Sequence, residues 1–571
     1  AQRDVGLRVP INFLTVPAVS LRAACFSHNQ YEDIAFQKCL SNLLATGFRR
    51  FLVDVYWDPG LSVWSLCPVQ IPPLQEPNPS KQEPSQTARS TAEIAVTAVS
   101  HDNDVPLIQI GAYNCTRQVT LNFLSEIFQS FLDVTATTTE ASVAYMLVNV
   151  HVAASYETPD APAQQPSQDQ LPGNDNSIGD VMKGNLTDGV LFVPTELQDE
   201  RSNLDSSWYD TAWDNKPASG YFETHVDSQG RIATRDGWPS EAFSEFQEFN
   251  RLVVGYGNID PQMADYNISA DFDTIFPPNE IIGYHNTTIS SSGQVTFGCL
   301  FSRGDSTITP LTNSSWAISI SPALNLAQNP NTTIPLPAIT NLTSCGISPF
   351  LNTSLANTTA DKNPLPYQAY TFSTLWSWAP GEPLNATNPD TFSYRTRCAT
   401  MPLNPPHPGR WRTSNCNARR RVACKDPDQP YNWTVSDNQV TYFDAGAACP
   451  EPYVFSVPHT SLENKHLLSV LQNSFSSDRN NDNVDAAIFL NLNSLNIPGC
   501  WVDAINGTCP YQPRNDTNRA RVVIVPTVAV VIIFVLAALT FFVKCAANRR
   551  DGMRARRRRV VGGWEYEGVP S

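Results

Sequence analysis

Charge is scarce in this sequence. Only 16% of its 571 residues are Asp, Glu, Lys or Arg, against 41% apolar ones, which describes a foldable chain with a sparsely charged surface. Glycine is short too, 27 residues against 45 prolines, so long, stiff, extended connections are expected. No Gly-x-Ser-x-Gly elbow, His-Glu-x-x-His pair or phosphate loop occurs, which removes the commonest hydrolase and nucleotide-dependent mechanisms. "GYGNID" (255–260) lacks the spacing of a dinucleotide fingerprint and reads as a strand-end turn. No short-period internal repeat is present.

The length exceeds one compact core, so two or three domains are expected. The charge is unevenly placed. Residues 544–571 hold eight Lys/Arg and three Asp/Glu, a net of +5, so against a total of −16 the first 543 residues carry −21. A body that acidic repels phosphate backbones, and no direct nucleic-acid binding is expected of it.

"VVIVPTVAVVIIFVLAALTFFV" (522–543) divides the two regimes. It contains no charge and, as a helix at ~1.5 Å per residue, would reach about 33 Å, enough to span a bilayer. "KCAANRRDGMRARRRR" follows, which the positive-inside rule places in the cytosol. Thirteen N-x-S/T sequons (Asn114, Asn185, Asn267, Asn286, Asn313, Asn331, Asn341, Asn352, Asn357, Asn385, Asn432, Asn506, Asn515) all precede the span, as a glycosylated lumenal region would have them. Twelve of thirteen cysteines precede it as well: Cys25, Cys39, Cys67, Cys115, Cys299, Cys345, Cys398, Cys416, Cys424, Cys449, Cys500 and Cys509. That even number suits disulfides in an oxidising compartment. Cys545 sits at the inner membrane edge, either as a free thiol or as a palmitoylation site. The chain starts at Ala1, read here as a mature product whose secretory signal has been removed. The expected topology is single-pass type I, in the secretory pathway or at the cell surface.

Apolar runs predict strands over 9–16, 48–57, 105–113, 144–152, 189–194 and 252–257, and helical spacing predicts helices over 31–47 and 121–135. Strands alternating with helices point to a mostly parallel α/β sheet. Stretches 72–90 and 157–177 read as exposed loops. From about 296 the sequons crowd and eight of the twelve lumenal cysteines fall, predicting a loop-rich, disulfide-held region.

"INFLTVP", "GFRRFLVDV" and "LVNVHV" give residues 1–295 a likeness to phosphatidylinositol-specific phospholipase C-like barrels. That chemistry uses two histidines as general base and general acid. Neither "VPAVSLRAAC" nor "DPGLSVWSLCP", where they belong, holds one. His28 and His101 lie in polar loop sequence, and His151 follows a strand, where a lone histidine is more often structural. The resemblance therefore implies a scaffold without its acid–base pair. No catalytic residue, cofactor or metal site is assigned. Asp54 and Asp58, at the end of the second strand, are the carboxylates a cation would use, and also commonplace strand-end residues.

"TLWSWAPGEPLNATN" (374–388) with "GRWRTSNC" and Cys424 resembles the closing half of a C-type lectin-like domain, and 441–511 its opening half, in reversed order. Leu384 interrupts the Glu-Pro-Asn-like loop and "RWRTSNC" replaces the second calcium-binding strand. A structural or protein-binding module is favoured over a calcium lectin.

Taken whole, "RDVGLRVPINFLTVPAVSLRAACF", "CLSNLLATGFRRFLVDVYWDPG", "GCWV" with "CPY", and the terminal apolar run with its basic tail resemble the fungal maintenance of telomere capping protein 6 family. The resemblance implies a single-pass glycoprotein involved in telomere capping. The expected organisation is a non-catalytic PLC-like α/β (TIM-barrel-type) domain (1–295), a cysteine-rich, glycosylated, lectin-like α+β region (296–511), a linker (512–521), the transmembrane helix (522–543) and a basic cytosolic tail (544–571). Expected partners are the membrane, with anionic lipid at "RARRRR" (554–559), and a protein or glycan ligand of the lumenal region. The rival readings are a lumenal or cell-surface phosphodiesterase acting on lipid or glycan headgroups, and a carbohydrate-binding module.

Overall fold

The computed structural model describes residues 2–73, 97–99, 106–137, 139–324, 326, 334–384, 396–476, 486–507, 509, 530 and 532–544. Ala1–Cys509 form one compact unit and Pro510–Ser571 a second.

Eight parallel strands make the centre of the first unit. They are β1 (Ala18–Ser20), β2 (Arg50–Asp58), β3 (Ala144–Val152), β4 (Leu191–Phe192), β5 (Leu252–Ile259), β6 (Gly283–Tyr284), β7 (Ala317–Ile320) and β8 (Ser348–Leu351). Across the sheet the order is β6-β7-β8-β1-β2-β3-β5-β4, with every neighbouring pair parallel. From β6 through β3 the strands advance in sequence and in space, as in a β/α barrel, while β5 and β4 are exchanged at one edge. Among the described residues β4 and β6 do not pair, so this is a partial barrel.

The period of two sorts side chains to two cores. From β2, Phe51, Val53, Val55 and Trp57 join the outer core. Helices α1 (Asp33–Thr46) and α2 (Leu121–Val134) pack there through Leu40, Leu43, Leu124 and Phe128. Leu52, with Tyr145, Leu147, Val253, Ile318 and Phe350, fills the inner face. Thr120 caps α2 by accepting from the Phe123 N–H. Gly47 ends α1 at φ 106°, a left-handed conformation that excludes most side chains. Arg50 also points inward, is fully buried, and lies between the Tyr145 and Trp316 rings, 5.4 Å from each.

Several expectations shift. The apolar run 9–16 is not a strand. Ile11–Phe13 is a 3-10 turn, and the first strand is Ala18–Ser20. The run is apolar because it closes the barrel base, with Ile11 in the inner core and Phe13 edge-on to Tyr221. The run 105–113 splits at Gly111 (φ 56°) into two antiparallel strands of a small separate sheet, tied down by Cys67–Cys115. The compositional change near 295 does not end the barrel, since β7 and β8 belong to the same sheet. Helix α3 (Leu365–Phe372) then packs Tyr370 on Phe48.

Beyond it stand two antiparallel three-stranded sheets. One joins Arg412–Ser414, Cys398–Pro402 and Ala487–Asn493, and the other Trp433–Val435, Ala423–Lys425 and Val454–Phe455. Trp376, Trp378, Trp411, Trp433 and Trp501 share their core with Leu467 of α4 (Ser461–Ser476). All twelve cysteines of the unit are paired: Cys25–Cys39, Cys67–Cys115, Cys299–Cys345, Cys398–Cys416, Cys424–Cys449 and Cys500–Cys509. Each bridge is local in sequence, none wider than 48 residues.

In the second unit, only residues 530 and 532–543 of the expected span are described, as helix. Among the described residues no helix is long and apolar enough to cross a membrane. The linker, residues 522–529 and 531 of the span, and all of the basic tail after Lys544 lie outside the described residues.

Candidate functional site

Catalytic groups of β/α barrels cluster at the C-terminal ends of the strands, and here that end carries ionisable residues. The register of β2 on β3 sets Asp54 beside Asn149 and Tyr56 beside His151. Asn149 Nδ2 donates to Asp54 Oδ1 at 2.8 Å. His151 Nε2 lies 3.4 Å from the same oxygen, and its Nδ1 lies 2.7 Å from Asp260 Oδ2. The Tyr56 ring stacks on the imidazole at 4.9 Å.

Asp260 arrives by a local device. The pairing of β5 with β3 shifts between Tyr256 and Ile259. Across this irregularity Asn258 N–H donates to Asn149 Oδ1 and Asp260 N–H to the Val150 carbonyl. Glycine is required at 257 because a Cβ there would sit 2.2 Å from Asn149 Oδ1. Gly257→Ala is therefore expected to push Asn149 off Asp54, swing Asp260 from His151 and cost ~1–3 kcal/mol. Thermal denaturation measures the loss.

Burial works against charging His151, but hydrogen bonds to Asp54 and Asp260 outweigh it and raise its pKa. Burial likewise opposes ionised Asp54, and the bonds from His151 and Asn149 win, lowering its pKa. The two acids on either side of the ring thus favour the imidazolium form of His151. With its folded pKa raised, His151 contributes stability that is complete below its ordinary value near 6.5 and disappears as pH rises through the raised one. The stability difference between the native chain and His151→Gln should therefore be largest near pH 6 and shrink toward pH 9, as urea midpoints at each pH would show.

Asp54 and Asp58 do not converge. Four residues along a strand is roughly 13 Å, and Asp58 is engaged elsewhere. Its carboxylate accepts from the Gly60, Leu61 and Ile71 N–H groups, a loop staple. Among the described residues no group of three or more His, Cys, Asp or Glu is set to hold a metal ion. At the end of β1, where the phospholipase-like pattern expects its first histidine, stands Arg22. It is exposed and interacts electrostatically with Tyr56, Tyr31 and Asp54, and a guanidinium is no general base. His28 is exposed beside Ser27, and His101 lies outside the described residues. The cavity beneath Arg22, Asp54 and Tyr56 measures about 10 Å³, room for one water.

In the tryptophan-rich region, Glu382 accepts from Thr413 N–H and Oγ1 and from Leu384 N–H, so the calcium-loop carboxylate serves the local backbone. Of the thirteen sequon asparagines ten are described, and none of the ten is buried. Asn267, Asn286, Asn313, Asn352, Asn357 and Asn506 are exposed, while Asn114, Asn185, Asn341 and Asn432 are half-buried. Asn331, Asn385 and Asn515 lie outside the described residues.

A family profile described as "MTC6 partial TIM-barrel domain" matches residues 1–370, the stretch that contains all eight parallel strands. A protein of Candida tropicalis named "Maintenance of telomere capping protein 6" is 24% identical over all of this chain and 94% of its own length. One of the same name from Candida albicans is 24% identical over the same shares. One from Saccharomyces cerevisiae is 24% identical over 68% of this chain and 66% of its own. No solved structure matches. The partial barrel and this match over more than half its length place the chain in the maintenance of telomere capping protein 6 family.

Proposed function

We propose that this chain is a single-pass type I membrane glycoprotein whose lumenal region binds rather than catalyses, and that its part in telomere capping is indirect. The observation that carries this reading is the state of the strand-end site. Its lone histidine is occupied by two carboxylates, and the cavity beside it has room for one water. Among the described residues no histidine lines that cavity, and a lipid or sugar headgroup does not fit it. Six disulfides and exposed sequons support a lumenal side. The acidic body and a membrane between it and chromatin support an indirect effect. The basic tail would hold anionic lipid at the cytosolic face.

One observation favours a second reading, a lumenal phosphodiesterase-like enzyme acting on lipid or glycan headgroups. The Asp54, His151 and Asp260 triad occupies the strand end where barrel enzymes do their chemistry. Incubating the full chain with phosphoinositide and glycosylphosphoinositol substrates separates the two. The binding reading expects no turnover above that of Asp54→Asn, and turnover abolished by that substitution would establish the enzyme. A glycan array with and without calcium tests the PLC-like and lectin-like body as a carbohydrate module. Tight binding of telomeric DNA by the purified lumenal face at physiological salt would contradict the indirect role.

A further inference from the structure

At the opposite end of the barrel, between the strand N-termini and the tryptophan-rich region, lies a cleft of about 790 Å³. That is the size of a small-molecule site, and such sites favour junctions between structural regions. Pro17, Arg49 and Ser142 line it just ahead of β1, β2 and β3. Its apolar wall includes Leu44, Phe131, Val134, Leu375 and Trp376. Two of these are large apolar side chains left open, Val134 at 70% and Leu375 at 40% exposure.

The charged side chains on the cleft are Arg3, Glu140, Glu241 and, beside the apolar wall, Arg49. Arg49 Nη1 donates to the Leu44 and Phe48 carbonyls, each at 2.8 Å, and the guanidinium lies 5.6 Å over the Phe131 ring. These contacts fix the fork in place. Among the described residues, its Nε and Nη2 have no hydrogen-bond partner and the group forms no ion pair. Burial lowers its pKa to about 10, so it stays cationic at neutral pH. Glu241, also on the cleft, is pushed by burial toward its neutral form and interacts electrostatically with Arg3 and, more weakly, with Arg49. A rigid guanidinium with open N–H groups on two nitrogens, beside the half-buried Phe131 ring and the exposed Val134 and Leu375, is complementary to one chemistry.

We propose that this cleft binds a small amphipathic anion, its apolar body against Phe131 and Val134 and its carboxylate or phosphate head on Arg49. This inference is independent of the strand-end site and of whether that site is catalytic.

The test uses the full chain in nanodiscs of zwitterionic lipid, with empty nanodiscs as the blank. Equilibrium dialysis is run with 2-naphthoate, 2-naphthyl phosphate and 2-naphthylmethylammonium. The proposal expects saturable binding of at least one anion, with the cation at least tenfold weaker, and the tighter anion identifies the head group. Arg49→Gln should weaken that anion tenfold or more. Should that variant fail to fold, Val134→Glu, at an exposed position, should reject the anion to the same degree. No saturable anion binding, equal binding of the cation, or unchanged affinity in the folded variants overturns it.

Discussion

Lys425→Met should destabilise the protein by about 3–5 kcal/mol, the usual cost of stripping one partner from a buried ion pair. Lys425 Nζ lies 3.3 Å from Glu463 Oε1, with side chains 7% and 0% exposed. The carboxylate also accepts from the Tyr221 hydroxyl, which comes from the barrel side, and from the His459 N–H. His459 in turn contacts the Val5 carbonyl at 2.7 Å, and Gln2 Oε1 accepts from the Trp376 and Ser377 N–H groups. These bonds tie the N-terminal segment and the barrel to the cysteine-rich region. Methionine at 425 would leave the Glu463 carboxyl buried without its cation, and the junction would loosen. Converting Glu463 to Leu as well should recover only part of the loss, because it removes the buried lone charge but leaves the Tyr221 hydroxyl and the His459 N–H without their acceptor. Urea denaturation of the single and double variants measures both numbers. A loss below about 1 kcal/mol in the single variant would show the pair to be solvated.

The second large effect comes from disulfides. Cys67–Cys115 closes 48 residues, Cys500–Cys509 only 9. By chain-entropy arguments the first contributes about 4 kcal/mol and the second about 2.5 kcal/mol. Paired Cys→Ser replacements should reproduce that order in thermal midpoints, with the Cys67/Cys115 variant the lower. The wider bridge also anchors the separate sheet that contains Leu107–Ile110 and Tyr113–Cys115. Its loss should therefore raise hydrogen exchange there before the barrel strands respond.

Much of the barrel was legible because its central strands are long and buried on both faces. Ala144–Val152 has the expected bounds, and Arg50–Asp58 and both helices lie within a few residues of theirs. The run 9–16 misled because a segment closing the barrel base is as apolar as a strand, and only tertiary contact tells them apart. The compositional break near 295 marked where disulfides and sequons crowd, while the sheet still needed β7 and β8 to continue. Composition reports solvent exposure, and sheet membership depends on pairing.

The strand-end site was half visible. Asp54 and His151 could be named, and the structure gives His151 two carboxylate partners. Asp260 could not be found, because it lies 109 residues from His151 and reaches it only through an irregularity that needs Gly257. "GYGNID" reads as a strand-end turn, whereas residues 255–259 continue the strand through an irregularity, and nothing in the run marks Asp260 as the residue it aims. Arg49 gave no signal either. Beside Arg50 in "FRR" it looks like one half of a basic pair, and only the fold sends one guanidinium into the barrel and the other to a cleft.

Sidedness underlies the functional account, and peptide mapping of protein purified from its native membranes without reductant tests it most directly. The account predicts six intact cystines from Cys25 to Cys509, and glycans on exposed sequons such as Asn267, Asn286 and Asn352. Free thiols at those cysteines together with bare asparagines would place the body in a reducing compartment and contradict it.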